Sequence, residues 1–415
     1  IQRGQELYVI GMPNKNRVQQ VNVMVGPDRI PVDYVSAGNI VAATGIRDAI
    51  AGCTVTDNPE AEPFERIVHV SEPVVTVAVE AKNTKDLPKL VEVLRLISKA
   101  DPSIQVQINQ ETGENLMSGM GELHLEITEY RIRNDHKMEI VCSEPIVVYR
   151  ETVSKPSPYK FEGKSPNKHN RFYIEVEPLP EKIVKAIYNN ELPENVKKFK
   201  KETAKLLQDL GMDKEAAKGV FGVHGLNIIT DTTKGIQHLF ETRDLIMEAF
   251  DEVMKSGPTV SEPCQAILVK LVDAKLHEDA IHRGPAQVIP AARNAIYGAI
   301  TISEPTLLEP MQKVFISTPQ EIMGDASREL NSRRSEVKDM KTVGDSVEIE
   351  AKAPVAEMFG FASAIRSATG GRVLWNTENM GFEPLPRQLK DPVIKKIRER
   401  KGLKPEPYPP EYYMG

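Results

Sequence analysis

Residues 276–287, LHEDAIHRGPAQ, hold the densest group of side chains that could do chemistry, with two histidines, two carboxylates and an arginine. The group invites comparison with HExxH, in which two histidines four positions apart lie on one helical face and bind zinc. Here His277 and His282 are five positions apart. At about 100° per residue they would lie roughly 140° apart around a helix. The spacing therefore argues against a shared metal ion.

A second polar segment, residues 163–171 with the sequence GKSPNKHNR, contains groups suited to RNA. Short polar loops can meet unstacked bases and phosphates at close range. The cations could contact phosphates and the remaining side chains sugar or base edges; the candidates are Lys164, Ser165, Asn167, Lys168, His169, Asn170 and Arg171. A solvated turn is the alternative. We expect this loop to lie beside residues 277–287 at one end of an α/β domain.

The motifs that would mark a nucleotide or covalent-catalysis site are missing from the sequence. There is no GxxxxGK[ST] phosphate loop and no GxSxG elbow. The stretch GVFGVHG at 219–225 does not match GxGxxG, and we predict a flexible turn there. We therefore expect neither a catalytic site, nor a metal, nor a cofactor in this chain.

Composition indicates a globular protein with several domains. The chain has 415 residues, a net charge of -6 and 40% apolar residues, without an apolar run of the roughly 18 residues that a membrane span needs. Its three cysteines form no CxxC pair, which favours a reducing cytoplasm over a disulfide framework. The acidic balance predicts that any RNA contact is local. The first residues read as the middle of a strand pattern, so we expect a truncated chain.

The order of strand and helix patterns predicts a multidomain α+β fold. Residues 1–58 alternate as short strands between turns and indicate a small β-barrel or part of one. Residues 64–142 read as βαββαβ, with the hairpin turning at 111–113, and residues 306–385 repeat that order, turning at 344–345. The central residues 143–305 read as a longer α/β domain. Residues 386–415 read as a basic helix and a proline-rich tail.

Five segments resemble archaeal and eukaryotic elongation factor 2, in the same order along the chain. They are SGMGELHLE at 118–126, SPNKHNR at 165–171, HEDAIHRG at 277–284, FGFASAIRSATGGR at 359–372 and RERKGLKPEP at 398–407. Pro285 and the proline-rich ending resemble the archaeal branch. The resemblance implies that residues 1–58, 64–142, 143–305 and 306–385 are the second to fifth domains of the factor, and that the N-terminal GTPase domain is missing.

The resemblance also implies roles for individual residues. His282 would be converted to diphthamide, an extended cationic group, and the fourth domain would carry two tip loops into the ribosomal A site. Its second loop would contribute His277, Asp279, Arg283 and Gln287 beside His282. The fifth domain would face RNA of the large subunit through Arg333 and Arg334.

The implied function is ribosome binding and translocation of tRNA and mRNA, with GTP and Mg required in the intact factor. The implied partners are both ribosomal subunits, tRNA, mRNA and the diphthamide-synthesis enzymes; the chain would be a cytoplasmic monomer without membrane contact. Two alternatives stay open from the residues alone. One is a free-standing RNA-binding or ribosome-assembly protein without a GTPase, and the other is an enzyme that uses residues 277–282 as an acid-base or metal set.

Overall fold

The structure, a computed structural model, describes residues 1–64, 73–108, 115–143, 145–193 and 200–414. The chain divides into two compact units, Ile1–Ile146 and Val147–Gly415. Each unit contains more than one β-sheet, and helices pack on sheets in both. The chain is therefore a multidomain α+β protein. No helix within the described ranges is long and apolar enough to cross a membrane.

Residues 1–56 form two small sheets and no closed barrel, where the strand pattern had predicted a small β-barrel or part of one. Their strands are β1 (Glu6–Val9), β2 (Lys15–Arg17), β3 (Gln20–Val25), β4 (Asp28–Val32), β5 (Ala42–Thr44) and β6 (Val55–Thr56). The sheet orders are β2-β1-β6 and β4-β3-β5. Leu7, Val18 and Val21 lie in a shared small core. Within residues 1–56 the two sheets share no strand and therefore do not close into one barrel.

The rest of the first unit is a five-stranded sheet with two helices; four of its strands pair antiparallel, and the fifth, Ile146–Val147 at the boundary of the unit, joins Val75–Ala81. Its elements are β7 (Val75–Ala81), α1 (Leu87–Ala100), β8 (Gln105–Ile108), β9 (Asn115–Gly119), α2 (Glu122–Asn134) and β10 (Ile140–Cys142). The strand order is β10-β7-β9-β8. Leu90 and Leu94 of α1 are buried with Val77 and Val79 of β7. The hairpin turn predicted at 111–113 lies outside the described residues.

A five-stranded sheet is the centre of the second unit. After β11 (Ile146–Val147) and β12 (Arg150–Val153), its strands are β13 (Phe161–Lys164), β14 (Arg171–Pro178), β15 (Val220–His224), β16 (Asn227–Asp231) and β17 (Ile267–Lys275). The order is β13-β14-β17-β16-β15, with β16 and β17 parallel. The turn predicted at 219–225 is wrong: these residues form β15, and the chain reverses at Gly225, where φ is +54°. Val220 and Phe221 are buried, which favours a strand over a flexible turn.

Helices cover both faces of this sheet. On one face lie α3 (Glu181–Tyr188), α4 (Lys200–Asp209) and α5 (Lys214–Gly219), which pack on Ile228 and Leu268. On the other face lie α6 (Leu239–Lys255) and α7 (Pro285–Thr301), which pack on Ile229 and Val269. Side chains of neighbouring residues in one strand thus point to opposite faces of the sheet, as the pleat requires.

Helix α7 lies in close contact with β13. A Cβ added to Gly298 of α7 would come within 2.0 Å of the Phe161 ring, and one added to Gly163 would come within 2.2 Å of the Ala291 carbonyl oxygen. Only glycine allows backbones to approach so closely. The strand before the first polar loop and the helix after the second are therefore pressed together.

The last sheet combines β12 with β18 (Pro305–Pro319), β19 (Glu336–Val343), β20 (Ser346–Pro354) and β21 (Leu374–Pro384). Its order is β12-β18-β20-β19, and β21 also pairs with β18. Helices α8 (Met323–Asn331) and α9 (Phe361–Thr369) cover a core that contains Val314, Ile349 and Ile365. Strand β18 is long because its first residues, 305–308, pair with β12 while the rest pair with β20 and β21.

The C-terminal segment belongs to the second unit and is partly buried. Helix α10 (Arg387–Arg400) contains Pro392. Arg398 is buried and donates from Nε to the Lys404 carbonyl, 2.5 Å away. Tyr413, in a 3-10 turn, is buried in the central core beside Tyr297. The proline-rich ending is thus fixed on the central domain.

Candidate nucleic-acid interface

The two polar loops meet at one end of the central sheet. Residues 165–170 connect β13 to β14, and residues 276–284 follow β17. Antiparallel pairing aligns Lys164 with Arg171 and Arg171 with Lys275, so both loops leave the sheet at the same edge. The two segments therefore lie side by side, as predicted.

The first loop is folded around Ser165. The Ser165 hydroxyl donates to Asn167 Oδ1 over 2.5 Å and accepts from the Asn170 backbone N–H over 2.9 Å. Lys168, at the exposed end of the loop, has φ +61°. Ser165 is 2% exposed and Asn170 is fully buried. Both side chains are engaged within the protein, and their contact with RNA stays a prediction.

Side-chain amides of the first loop bond to the backbone of the second. Asn170 Nδ2 donates to the His282 carbonyl oxygen over 2.7 Å, and Asn170 Oδ1 accepts from the His277 N–H over 3.1 Å. Asn167 Nδ2 donates to the same carbonyl over 3.3 Å, while its N–H donates to Gln287 Oε1 over 2.9 Å. Gln287 is therefore also engaged within the protein.

Three imidazole rings lie together over these contacts. The ring centroids of His277 and His282 are 4.5 Å apart in an edge-to-face arrangement, and His169 is 5.0 Å and 5.1 Å from them. Their sequence spacing had suggested separation around a helix. That argument does not apply because residues 276–279 are irregular and residues Ala280–Arg283 form a 3-10 turn. His169 is exposed, and His277 and His282 are half-buried.

Asp279 begins the 3-10 turn. Its carboxylate accepts from the Ile281 N–H over 3.0 Å, and its own N–H donates to His277 Nδ1 over 3.0 Å. This is helix-start capping, which needs a short acceptor side chain. Among the described residues, no three His, Cys, Asp or Glu side chains are arranged to hold a metal ion.

Arg283 joins the second loop to helix α6. Its Nη2 donates to Glu241 Oε2 over 2.8 Å, and the Arg283 side chain is only 5% exposed. This geometry supports a structural role for Arg283, and its contact with an RNA phosphate stays a prediction. Glu241 lies in the first turn of α6, 42 positions from Arg283, and nothing in the sequence marks the pair.

Glu162 balances two of the predicted phosphate-binding cations. Arg171 Nη1 lies 3.0 Å and Lys164 Nζ 3.6 Å from its carboxylate, and the Tyr173 hydroxyl donates to it over 2.9 Å. Partial burial favours the neutral acid, but the hydrogen bonds from Tyr173 and Arg171 outweigh it and hold the pKa of Glu162 below its usual value. Lys168 forms no ion pair within the described residues and is the most exposed cation of the loop.

Arg333 and Arg334 are engaged with protein acceptors near α8. Arg333 Nη1 donates to the carbonyl oxygens of Glu357 and Phe359 over 2.7 Å and 3.0 Å. Arg334 makes two bonds to the Glu309 carboxylate, 3.1 Å and 2.8 Å long, and these bonds raise its pKa further above the usual value. Their contact with RNA stays a prediction.

Family models match successive segments of the chain. The model described as Elongation factor Tu domain 2 matches residues 1–56, and Elongation Factor G, domain III matches residues 70–144. Elongation factor G, domain IV matches residues 191–304, and Elongation factor G C-terminus matches residues 306–393. The fourth-domain match includes the second polar loop.

Curated relatives match the whole chain. Elongation factor 2 of Picrophilus torridus is 59% identical over 414 residues, and that of Methanosphaera stadtmanae is 56% identical over 416. The protein of the same name from Archaeoglobus fulgidus is 54% identical over 415 residues. In each case the match covers 100% of this chain and 56–57% of the relative, so the chain spans little more than half their length. Its identity to these archaeal proteins from end to end shows that the chain belongs to the elongation factor 2 family.

Proposed function

We propose that this chain is the ribosome-binding and translocation portion of an archaeal elongation factor 2. The observation that carries the proposal is the meeting of residues 165–171 and 277–287 at one edge of the central sheet, where they form a polar tip. Lys168 and His169 are exposed there, and His282 is half-exposed. Such a tip is suited to tRNA and mRNA in the decoding region of the A site.

We infer the following domain arrangement. Residues 1–58 are a partial second domain of barrel type, 64–142 the third, 143–305 the fourth and 306–385 the fifth, followed by the segment 386–415. The matched family models support this division. The strand orders β10-β7-β9-β8 and β21-β18-β20-β19 support two ferredoxin-like domains, because a βαββαβ unit gives this split pairing.

His282 is the proposed site of diphthamide. His282 is half-exposed, and the neighbouring Ile281 is exposed, which supports access of a modifying enzyme to this turn. Once extended and cationic, the side chain could reach RNA phosphates that an imidazole cannot. The diphthamide-synthesis enzymes are therefore proposed partners. Mass spectrometry of protein from its native host tests this step: an unmodified His282 peptide, or modification at His277, would refute it.

The intact factor would use GTP and Mg²⁺ to shift the populations of its domain arrangements. In this view the present chain contributes the arm that enters the A site, and it acts as a cytoplasmic monomer on both ribosomal subunits. Residues Arg333 and Arg334 would face large-subunit RNA only if they exchange some of their protein acceptors for phosphates.

A ribosome-binding assay tests the proposed function. The full 415-residue chain is incubated with archaeal ribosomes and pelleted through a sucrose cushion at several salt concentrations. We expect saturable, salt-dependent binding that an intact archaeal elongation factor 2 displaces. Binding to naked ribosomal RNA as strong as binding to ribosomes would favour a general RNA-binding protein instead.

A further inference from the structure

The buried side chain of Asn170 joins two points of the second loop. Asn170 is fully buried, and its carboxamide bonds to the His277 N–H and to the His282 carbonyl oxygen. These backbone groups lie five residues apart: His277 precedes the 3-10 turn Ala280–Arg283, and His282 lies within it. One side chain therefore closes the loop that carries His282.

We propose that Asn170 is the positioning residue that sets the place and orientation of His282. The role requires a short side chain that donates at one atom and accepts at another, which a carboxamide does and an ionised carboxylate cannot. The inference rests on the proposed function only for the importance of His282 on the ribosome. We call the hydrogen bonds from Asn170 to His277 and His282 the clamp, and it is present in the free chain.

Asn167 and Ser165 complete this clamp. Asn167 Nδ2 also donates to the His282 carbonyl, and the Ser165 hydroxyl lies between Asn167 Oδ1 and the Asn170 N–H. The His282 carbonyl oxygen thus accepts hydrogen bonds from two side-chain amides, and the bond from Asn170, 2.7 Å long, is the shorter of the two. The buried residues of the first loop hold the second loop, while the exposed Lys168 and His169 remain for RNA.

The clamp restricts what the His282 side chain can do. With the carbonyl at residue 282 and the N–H at residue 277 both fixed, the imidazole moves mainly by rotation about its own side-chain bonds. The neighbouring rings of His169 and His277 narrow that choice further. A modifying enzyme and the ribosome would therefore meet His282 in one place.

The test compares Asn170→Ala with Asn227→Ala in the complete chain. Asn227 is a matched control: it is 1% exposed, donates to the carbonyls of His224 and Cys264, and accepts from the Ile267 N–H. It lies at the opposite end of β17 from the second loop. Labelling with ¹⁵N,¹³C-histidine gives signals from only eight residues.

We expect Asn170→Ala to speed hydrogen exchange of the His277 amide by about fivefold or more, because a net hydrogen bond is lost there. The imidazole signals of His277 and His282 should shift or broaden. Asn227→Ala should leave these signals at their wild-type positions. Unchanged His277 exchange and unchanged imidazole signals in Asn170→Ala would overturn the proposal. So would tip changes of the same size in both variants, since that would indicate general loosening.

Asn170→Asp keeps the test decisive if the alanine variant does not fold. At neutral pH its carboxylate can accept from the His277 N–H but cannot donate to the His282 carbonyl, so the His277 amide should keep its slow exchange while the His282 signals differ from wild type. At lower pH the protonated acid can donate, and the difference from wild type at the same pH should disappear. A difference that does not depend on pH would overturn the donor role. Because these signals come from free protein, their failure is distinct from a failure of ribosome binding.

Discussion

Charge reversal at Lys168 tests directly whether the tip, residues 165–171 and 277–287, contacts RNA through this side chain. Lys168 is exposed, has no ion-pair partner within the described part of the chain and sits at φ +61°. The change Lys168→Glu leaves that backbone strain in place, because both residues have a Cβ. Surface substitutions usually change stability by no more than about 0.5 kcal/mol. The free energy of unfolding should therefore stay within that range.

The expected effect on ribosome binding follows from counterion release. Each lost phosphate contact lowers the slope of log K against log salt by about 0.7 to 0.9. Between 50 and 200 mM salt, a fourfold change, one contact accounts for about a threefold change in affinity. Wild type should therefore lose about threefold more affinity over this range than Lys168→Glu, and it should bind more tightly at the low-salt end.

The assay is ribosome co-sedimentation across that salt series, with unfolding by urea measured in parallel. Lys205→Glu, an exposed lysine of α4 outside both loops, is the control for the change in net charge. Equal salt slopes for wild type and Lys168→Glu would refute the contact. Equal losses in the two variants would assign the effect to net charge instead of the tip.

Other predictions concern the body that carries the tip. Gly298→Ala should lower the free energy of unfolding by about 1–3 kcal/mol, because the new methyl group overlaps the Phe161 ring in a filled core. Urea titration measures this change, and an unchanged unfolding midpoint would contradict the close contact. In native protein at pH 8, iodoacetamide should modify Cys53 before Cys142 and Cys264, because burial raises the pKa of Cys142 to about 11 and also raises the pKa of the buried Cys264. Peptide mass spectrometry measures the order of labelling. Early labelling of Cys264 would be inconsistent with its burial. Because the pKa of Glu162 is lowered in the folded protein, its carboxylate stabilises the fold above the usual glutamate pKa near 4.5, and this stabilisation is lost as pH falls through the folded-state value. Glu162→Gln should therefore make the free energy of unfolding less dependent on pH in that acidic range. An unaltered pH profile would argue against the ion pairs of Glu162.

The regular elements were predictable from sequence where apolar periodicity and turn residues agree. The hairpin at 336–352 is an example: β19 and β20 are joined at the predicted residues 344–345. The stretch at 219–225 was not, because its glycines suggested a turn while tertiary burial of Val220 and Phe221 makes it a strand. Local composition does not contain that packing.

The candidate site was predictable in its location but not in its internal roles. The residue types and the family resemblance brought together residues 165–171 and 277–287. They did not distinguish the buried Asn170 from the exposed Lys168, because both are polar members of one short loop. Glu241 escaped prediction because its ion pair with Arg283 depends on how α6 packs, which no local spacing reveals.

The close seating of α7 on β13 has a mechanical consequence. One polar loop begins where β13 ends, and the other finishes where α7 begins, so both rest on elements that touch through Gly163 and Gly298. A helix of 17 residues extends about 25 Å at 1.5 Å per residue. The close contacts at Ala291, Ala295 and Gly298 lie in the middle and the C-terminal part of this helix, and such tight packing leaves little room for the helix to slide along the strand. A force applied at the base of this domain would therefore displace the two loops as a rigid unit instead of bending the helix against the strand.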